Sequence, residues 1–175
     1  MTGVTIKLSG SLVPIQDSLK RIGALGADPS AVLAGIGPAI VRNTQRRMKA
    51  GIDPRGVLWS SYAPLNPLYA REKTGSGILI SNGRAVGLMG SLTSRVQGNR
   101  LIWGTNMPYA AIHQFGGIIR PKTPTGRLVF HMGGQLFRVK SVKIPARPYL
   151  GFTDEDRQVV IEGLEDFLSH AMRGS

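Results

Sequence analysis

Apolar and polar positions recur with helical spacing in two long stretches of this chain and alternate in several short ones. Leu33, Ile36, Ile40, Thr44 and Met48 form one stripe, from which Arg42, Arg46 and Lys49 lie away, so a long helix is predicted over 28–50. Asp28 provides a capping carboxylate, Pro29 suits the first helical position, and Gly51 supplies the stop. Pro38 lies inside this pattern and lacks an amide hydrogen, which predicts a kink or a restart there. The clearest element is a helix over 153–172. Thr153 is its N-cap, Asp156 stands in the capping-box place, and Asp154 and Glu155 complement the helix dipole. Val160, Leu164, Phe167 and Ala171 make its apolar stripe, with Leu168 beside it. A shorter helix with Ile15, Leu19 and Ile22 on one face is expected to end at Gly23 and Gly26.

Period-two patterning marks the strands. Val4, Ile6 and Leu8 alternate with polar residues, which predicts an N-terminal strand. Leu92–Val96 and Arg100–Gly104 read as a hairpin turning at Gly98-Asn99. Arg127–His131 and Gln135–Val139 read as a second, turning at Gly133-Gly134, and Val142–Ile144 as a strand closed by Pro145. Pro108–Phe115 predicts a short helix stopped by Gly116-Gly117, and 87–92 a helical turn. Residues 60–83 carry no periodicity, with Ile78-Leu79-Ile80 as a small apolar anchor. The expected architecture is α+β: an antiparallel sheet of four to five strands packed by the long N-terminal-half helix and the C-terminal helix. One domain is expected over 1–175. It runs as a strand and short helix (1–27), the long helix (28–50), an irregular loop (52–83), a sheet region (84–150) and the last helix (153–172).

Charge changes this picture more than composition does. The 175 residues carry 22 Lys and Arg against 10 Asp and Glu, a formal charge of +12. The excess is divided unevenly: residues 1–153 hold +16 and residues 154–175 hold −4, the acids coinciding with the last helix. A binder of nucleic acid alone has no need of that dipolar arrangement. Opposite patches instead suit contact between copies, although the acids also cap and solvate their own helix. The longest uncharged run, Leu101 to Ile119, is broken by Gly104, Pro108, Gly116 and Gly117. No signal segment or membrane span is expected, and a soluble protein is.

Catalytic chemistry finds little support. The absence of cysteine removes thiolate metal sites, disulfides and cysteine nucleophiles. No P-loop, GxGxxG or GxSxG motif occurs, and His113, His131 and His170 lack ligand spacing with carboxylates. Only Asp17, Asp28, Asp53 and Glu72 are acidic before the last helix, too few for two-metal nuclease chemistry. No enzymatic activity, cofactor or metal is expected. Trp59 and Trp103 read as core or interface aromatics. Arg42, Arg46, Arg47 and Lys49 are the candidate DNA-facing cluster, with a solvated helix face as the plainer reading.

Several phrases, in order, carry a resemblance. They are Asn43-Thr-Gln-Arg-Arg-Met48, Asp53-Pro-Arg-Gly56 with Trp59, Ile78-Leu79 before Leu88–Leu92, and Trp103-Gly-Thr-Asn106. Tyr109-Ala-Ala-Ile-His-Gln-Phe-Gly-Gly117, Ile144-Pro-Ala-Arg-Pro-Tyr-Leu-Gly151 and an acidic start to the last helix complete the set. Over roughly 35–172 the chain resembles the virion morphogenesis, or tail completion, family of Mu-like tailed bacteriophages. The basic stretch 118–143 and the Gly- and Pro-containing first long helix depart from that pattern.

The resemblance implies a structural virion protein at the head–tail junction: a tail terminator or tail completion subunit that caps the tail and joins it to the head. It further implies a homo-oligomeric ring, expected to be a hexamer, with tail tube and head–tail connector proteins as partners. The protein would reside in the tail or neck of the virion after assembly in the host cytoplasm, with no membrane partner. Tyr109, His113, Gln114 and Arg147 then look like fold-defining or interface positions, and Asp154 and Glu155 like interface acids. Arg147 either reaches a carboxylate in a bidentate way or lies on the surface over the last helix. Gly116-Gly117 allows close approach of a neighbouring segment. Two alternatives remain: a basic DNA-binding protein of the packaging machinery or DNA channel, and a capsid or baseplate assembly factor.

Overall fold

The computed structural model describes residues 13–73, 75, 77–80 and 87–173. Two helices begin it, α1 (Val13–Ala27) and α2 (Ser30–Ala50), followed by two short ones, α3 (Trp59–Tyr62) and α4 (Pro67–Glu72). A hairpin of β1 (Thr93–Gln97) and β2 (Arg100–Gly104) leads to α5 (Ala110–Phe115) and β3 (Gly117–Ile119). A second hairpin, β4 (Leu128–Met132) and β5 (Gln135–Val139), precedes β6 (Val142–Ile144), and α6 (Asp154–Arg173) closes the chain. The expected strand at Val4–Leu8 lies outside the described residues.

The fold is α+β, but the expected single sheet is not what forms. The described strands make three separate two-stranded antiparallel ribbons: β1 with β2, β4 with β5, and β3 with β6. Two of the ribbons rest on different helices. The β1–β2 ribbon lies on α2, and β4–β5 leans on α4. Residues 117–119, expected only to follow a glycine stop, pair with 142–144 instead. Two-stranded ribbons are weak alone and need such backing.

Local chemistry explains most element ends. Asp28 Oδ1 accepts from the Ser30 amide at 3.0 Å, and Gly51 closes α2 in the left-handed region at φ 69°. α2 runs unbroken through Pro38 rather than restarting there. Pro38 is exposed, while Ile36 and Ile40 on the opposite face are buried against α6 and β2, and that burial offsets the lost hydrogen bond. α1 likewise continues past Gly23. It docks on the end of α6, where the Arg21 guanidinium and the Ser18 hydroxyl donate to the Ala171 and Met172 carbonyls. The loop expected over 52–83 contains α3 and α4, the latter capped by Asn66, whose side chain accepts from Leu68 N at 2.9 Å.

The core has two parts. One gathers Val41, Met48, Trp59, Leu88, Leu92, Ala110 and Tyr149, with Ile78 and Leu79 packed against it. The other joins Val32, Ile36 and Ile40 of α2 to Val159, Val160 and Phe167 of α6. Trp103 touches both. Leu164, assigned to the buried stripe, lies toward solvent, because α2 meets the neighbouring face through Val160, Gly163 and Phe167. At Gly163 a β-carbon would come within 2.7 Å of Ile36, so glycine sets how closely α2 and α6 approach.

A buried polar cluster holds the same two helices together. Arg47 Nη1 lies 3.2 Å from Asp156 Oδ2, and both side chains are enclosed. Asp156 also accepts from Asn43 Nδ2 at 3.2 Å and from the Thr153 amide at 3.0 Å, while the Asp156 amide donates to Thr153 Oγ1. The predicted capping box is therefore formed, and its carboxylate is at the same time the counterion of Arg47. Arg47 Nη2 donates to Gly151 O and Thr44 Oγ1, while its buried Nε has no hydrogen-bond partner among the described residues.

Two glycine substitutions separate backbone freedom from steric need. Gly35 is an exposed helix-interior position with open space around it, so Gly35→Ala should stabilise the fold by up to about 1 kcal/mol. Gly116, at φ 70°, would place a β-carbon 2.8 Å from Ala146 N, so Gly116→Ala should destabilise by about 2 kcal/mol or more. Urea denaturation of the two variants, with opposite shifts in midpoint, checks this.

Candidate functional site

The segments that carry the resemblance meet in space. α5 begins after Pro108, and Gly116 ends it by turning the chain against residues 144–146 of the same molecule. The neighbour that the Gly-Gly pair admits is thus the Ile144–Gly151 segment. Gln114 binds that segment as a backbone strand would. Its Oε1 accepts from the amides of Tyr149 and Leu150, both at 3.0 Å, and its Nε2 donates to Leu150 O at 3.0 Å. The Arg147 amide donates to His113 O at 2.7 Å.

Arg147 is buried and takes neither of the two expected roles. Its guanidinium donates to the Ala63 carbonyl through Nε at 3.2 Å and Nη2 at 2.9 Å, and to the Pro64 carbonyl at 3.1 Å. It thereby ties the end of α3 to the Pro-rich segment, while Trp59 Nε1 donates to Pro148 O at 2.9 Å. Both prolines flanking Arg147 leave their own carbonyls free to accept such bonds. Burial lowers the Arg147 pKa, partly offset by Tyr62 and Tyr69, and the guanidinium keeps its charge.

Beside this junction lies an open cleft of about 870 Å3. Tyr109, His113 and Arg147 line it together with Leu65, Tyr69, Phe130 and Ile144. The β4–β5 hairpin forms a flank, held by the Gly134 amide donating to Glu72 at 2.6 Å and by the stacked rings of Phe130 and Phe137. Tyr109 meets the edge of the His113 ring at a centroid distance of 5.9 Å. Lys73 reaches into the same cleft and donates to the Gly75 and Ile80 carbonyls. Burial lowers the His113 pKa, and the positive charge of Arg147 lowers it further, so the imidazole is neutral at pH 7. Nδ1 of His113 has no hydrogen-bond partner among the described residues. The cleft is largely apolar, and its described lining holds no nucleophile–base pair. Among the described residues no three His, Cys, Asp or Glu side chains gather as a metal site.

The other singled-out residues are elsewhere. Arg46 pairs with Glu155, linking α2 to the first turn of α6 at the surface, and Asp154 is exposed with Arg157 nearby. Arg42 and Lys49 are exposed on α2. Arg47 is not on the surface, since its charge is matched inside by Asp156. Helical spacing held the signal for this: Ile36, Ile40, Asn43 and Arg47 fall at i, i+4, i+7 and i+11, within the buried stripe. Asp53 was also missed as a buried group. Its carboxylate accepts from the amides of Arg55 and Val57 at 2.8 and 2.9 Å and from the Arg55 guanidinium, closing the Asp53–Gly56 turn. Burial pushes the Asp53 pKa up, but these donors outweigh it and the net shift is downward.

The phage virion morphogenesis family model matches residues 11–169, a span that takes in the α5 junction, the cleft and nearly all of α6. This chain belongs to the phage virion morphogenesis family. The chain is also similar to the Mu-like prophage FluMu G protein 2 of Haemophilus influenzae, at 42% identity over 80 residues. That likeness covers 46% of this chain and 46% of the relative, so it spans less than half of either. No solved structure matches. Membership of that family connects the chain with the morphogenesis of phage virions.

The neutral His113 makes a pH prediction. Its folded pKa lies below the ordinary 6.5, so the unfolded chain takes up a proton first on acidification. His113 therefore lowers folding stability as pH falls from about 6.5, and the penalty grows until the folded pKa is passed. His113→Gln should flatten that limb of the stability profile. Denaturation midpoints measured between about pH 7 and pH 5 check it; a variant as pH-sensitive as the parent would refute the assignment.

Proposed function

We propose that this protein is a tail terminator or tail completion subunit that forms a homo-oligomeric ring at the head–tail junction. The reading rests above all on the family match across nearly the whole described chain, in a family of virion morphogenesis. The molecular surface supports an assembling protein. Each of the three ribbons has only two strands, and β3 is a three-residue edge whose Ile118 and Ile119 are exposed. Phe115, next to them, is 78% exposed. Large apolar side chains grouped beside open strand edges are the features of a surface that another protein covers.

In this reading the junction of α5 with Ile144–Gly151 acts as a rigid frame. Gln114 and Arg147 serve the frame from inside, and Tyr109, Phe115 and the cleft present it to neighbours. The capped tail tube and a head–tail connector are the neighbours proposed. DNA is a weaker reading, because Arg46 and Arg47, two of its four candidate cations, are paired with Glu155 and Asp156.

Mass measurement and negative-stain microscopy of the purified chain, alone and with tail tubes, test this. Closed rings, or rings appearing on tube ends, are expected. A strict monomer at high concentration that also ignores tail components would contradict it.

A further inference from the structure

We infer that the outward face of α6 binds the outward face of the β4–β5 ribbon on a second copy of this chain. The inference rests on the ring reading above and names the contact that would build it. The ribbon's alternation puts Phe130, which lines the cleft, and Phe137, stacked on it, on one face and leaves the opposite face to solvent. That opposite face pairs Val129 with Arg138 and His131 with Leu136 across the strands, with Arg127 and Lys140 at its ends. Val129 is 56% and Leu136 49% exposed. Residues 118–143 contain no acidic side chain at all, and none of their cations pairs with a described carboxylate. This is a basic face with an apolar centre; Glu72 is held at the ribbon's turn by the Gly134 amide, and none of the face's own cations is in an ion pair among the described residues.

α6 presents the reverse. One side is buried against α2 and α1, while Ile161, Leu164 and Met172 are exposed at 41, 38 and 62%. Glu162 and Glu165 lie among them, also exposed and without an ion pair among the described residues. The dimensions agree as well. Eleven helical steps from Ile161 to Met172 span about 17 Å. The four steps of a five-residue strand span about 14 Å. The two faces are therefore opposite in charge, alike in apolar content and comparable in length. They are different patches of one molecule, so their contact is head-to-tail, the kind that propagates and closes into a ring. Charge complementarity fixes the register, and the apolar centres supply the buried area.

Charge reversal on each face provides the test, read by sedimentation of the full chain at low and high ionic strength. E162K/E165K and R138E/K140E should each weaken self-association by roughly tenfold or more, and wild-type association should fall with added salt. All four residues are exposed, so folding is spared, and unchanged circular dichroism verifies that. The two variants mixed in equal amounts should recover association, because both alternating junctions then join opposite charges. Rings that persist unchanged in either variant overturn this inference and leave the ring reading standing. Loss in both variants without recovery on mixing also overturns it, since the ribbon then faces DNA or another protein. A wild-type chain that is monomeric alone and on tail tubes overturns the ring reading itself.

Discussion

Arg47 and Asp156 are buried together where α2 meets the first turn of α6, and neither charge could be there without the other. An isolated ion in such a place costs several kcal/mol of lost hydration. The cluster offsets that cost with direct attraction, with the bond Asn43 donates to Asp156, and with those Arg47 donates to Thr44, Thr153 and the Gly151 carbonyl. Because Asp156 is also the capping-box residue, pairing with Arg47 and starting α6 are one event. The last helix can begin in only one place, at one angle to α2. Gly163 and Ile36 then set the distance between them about two turns further along α6.

The rest of the molecule follows from that attachment. Gly151, whose carbonyl Arg47 holds, ends the Ile144–Gly151 segment, so the same cluster positions the strand that Gln114 and Arg147 grip from the other side. Tyr149 and Trp59 fill the space between, and the cleft exists because Arg147 draws the end of α3 toward the Pro-rich segment. Residues that looked suited to binding outside partners thus bind the chain to itself. What remains for assembly is the outer side: the exposed face of α6, the basic ribbon, and the apolar group around Phe115.

Much of this was legible in the sequence, and the exceptions have physical causes. The capping box, both glycine hairpin turns and the main helix spans depend on local chemistry and were readable from it. The Gly133-Gly134 turn, with φ of 64° and 71°, is a case in point. What could not be read was pairing between distant segments. β3 finds β6 across the whole β4–β5 hairpin, and nothing in Gly117–Ile119 alone signals a strand. Charge misled in the same way. Arg47 sits in a row of cations, and only its place on the buried stripe distinguishes it from Arg46, which stays outside. Gln114 and Arg147 stood out as candidate contacts, but whether their partners lay within the chain or beyond it depended on tertiary structure.

The most direct test of this account is a double-mutant cycle on the buried pair, with R47M, D156N and both together, measured by equilibrium denaturation. Either single change leaves a buried group without its counterpart and should cost about 3–5 kcal/mol, while the double variant should cost well under the sum. A coupling of about 2 kcal/mol or more is the predicted result. Additive losses, with coupling within about 0.5 kcal/mol of zero, would contradict the claim that this pair sets the position of α6.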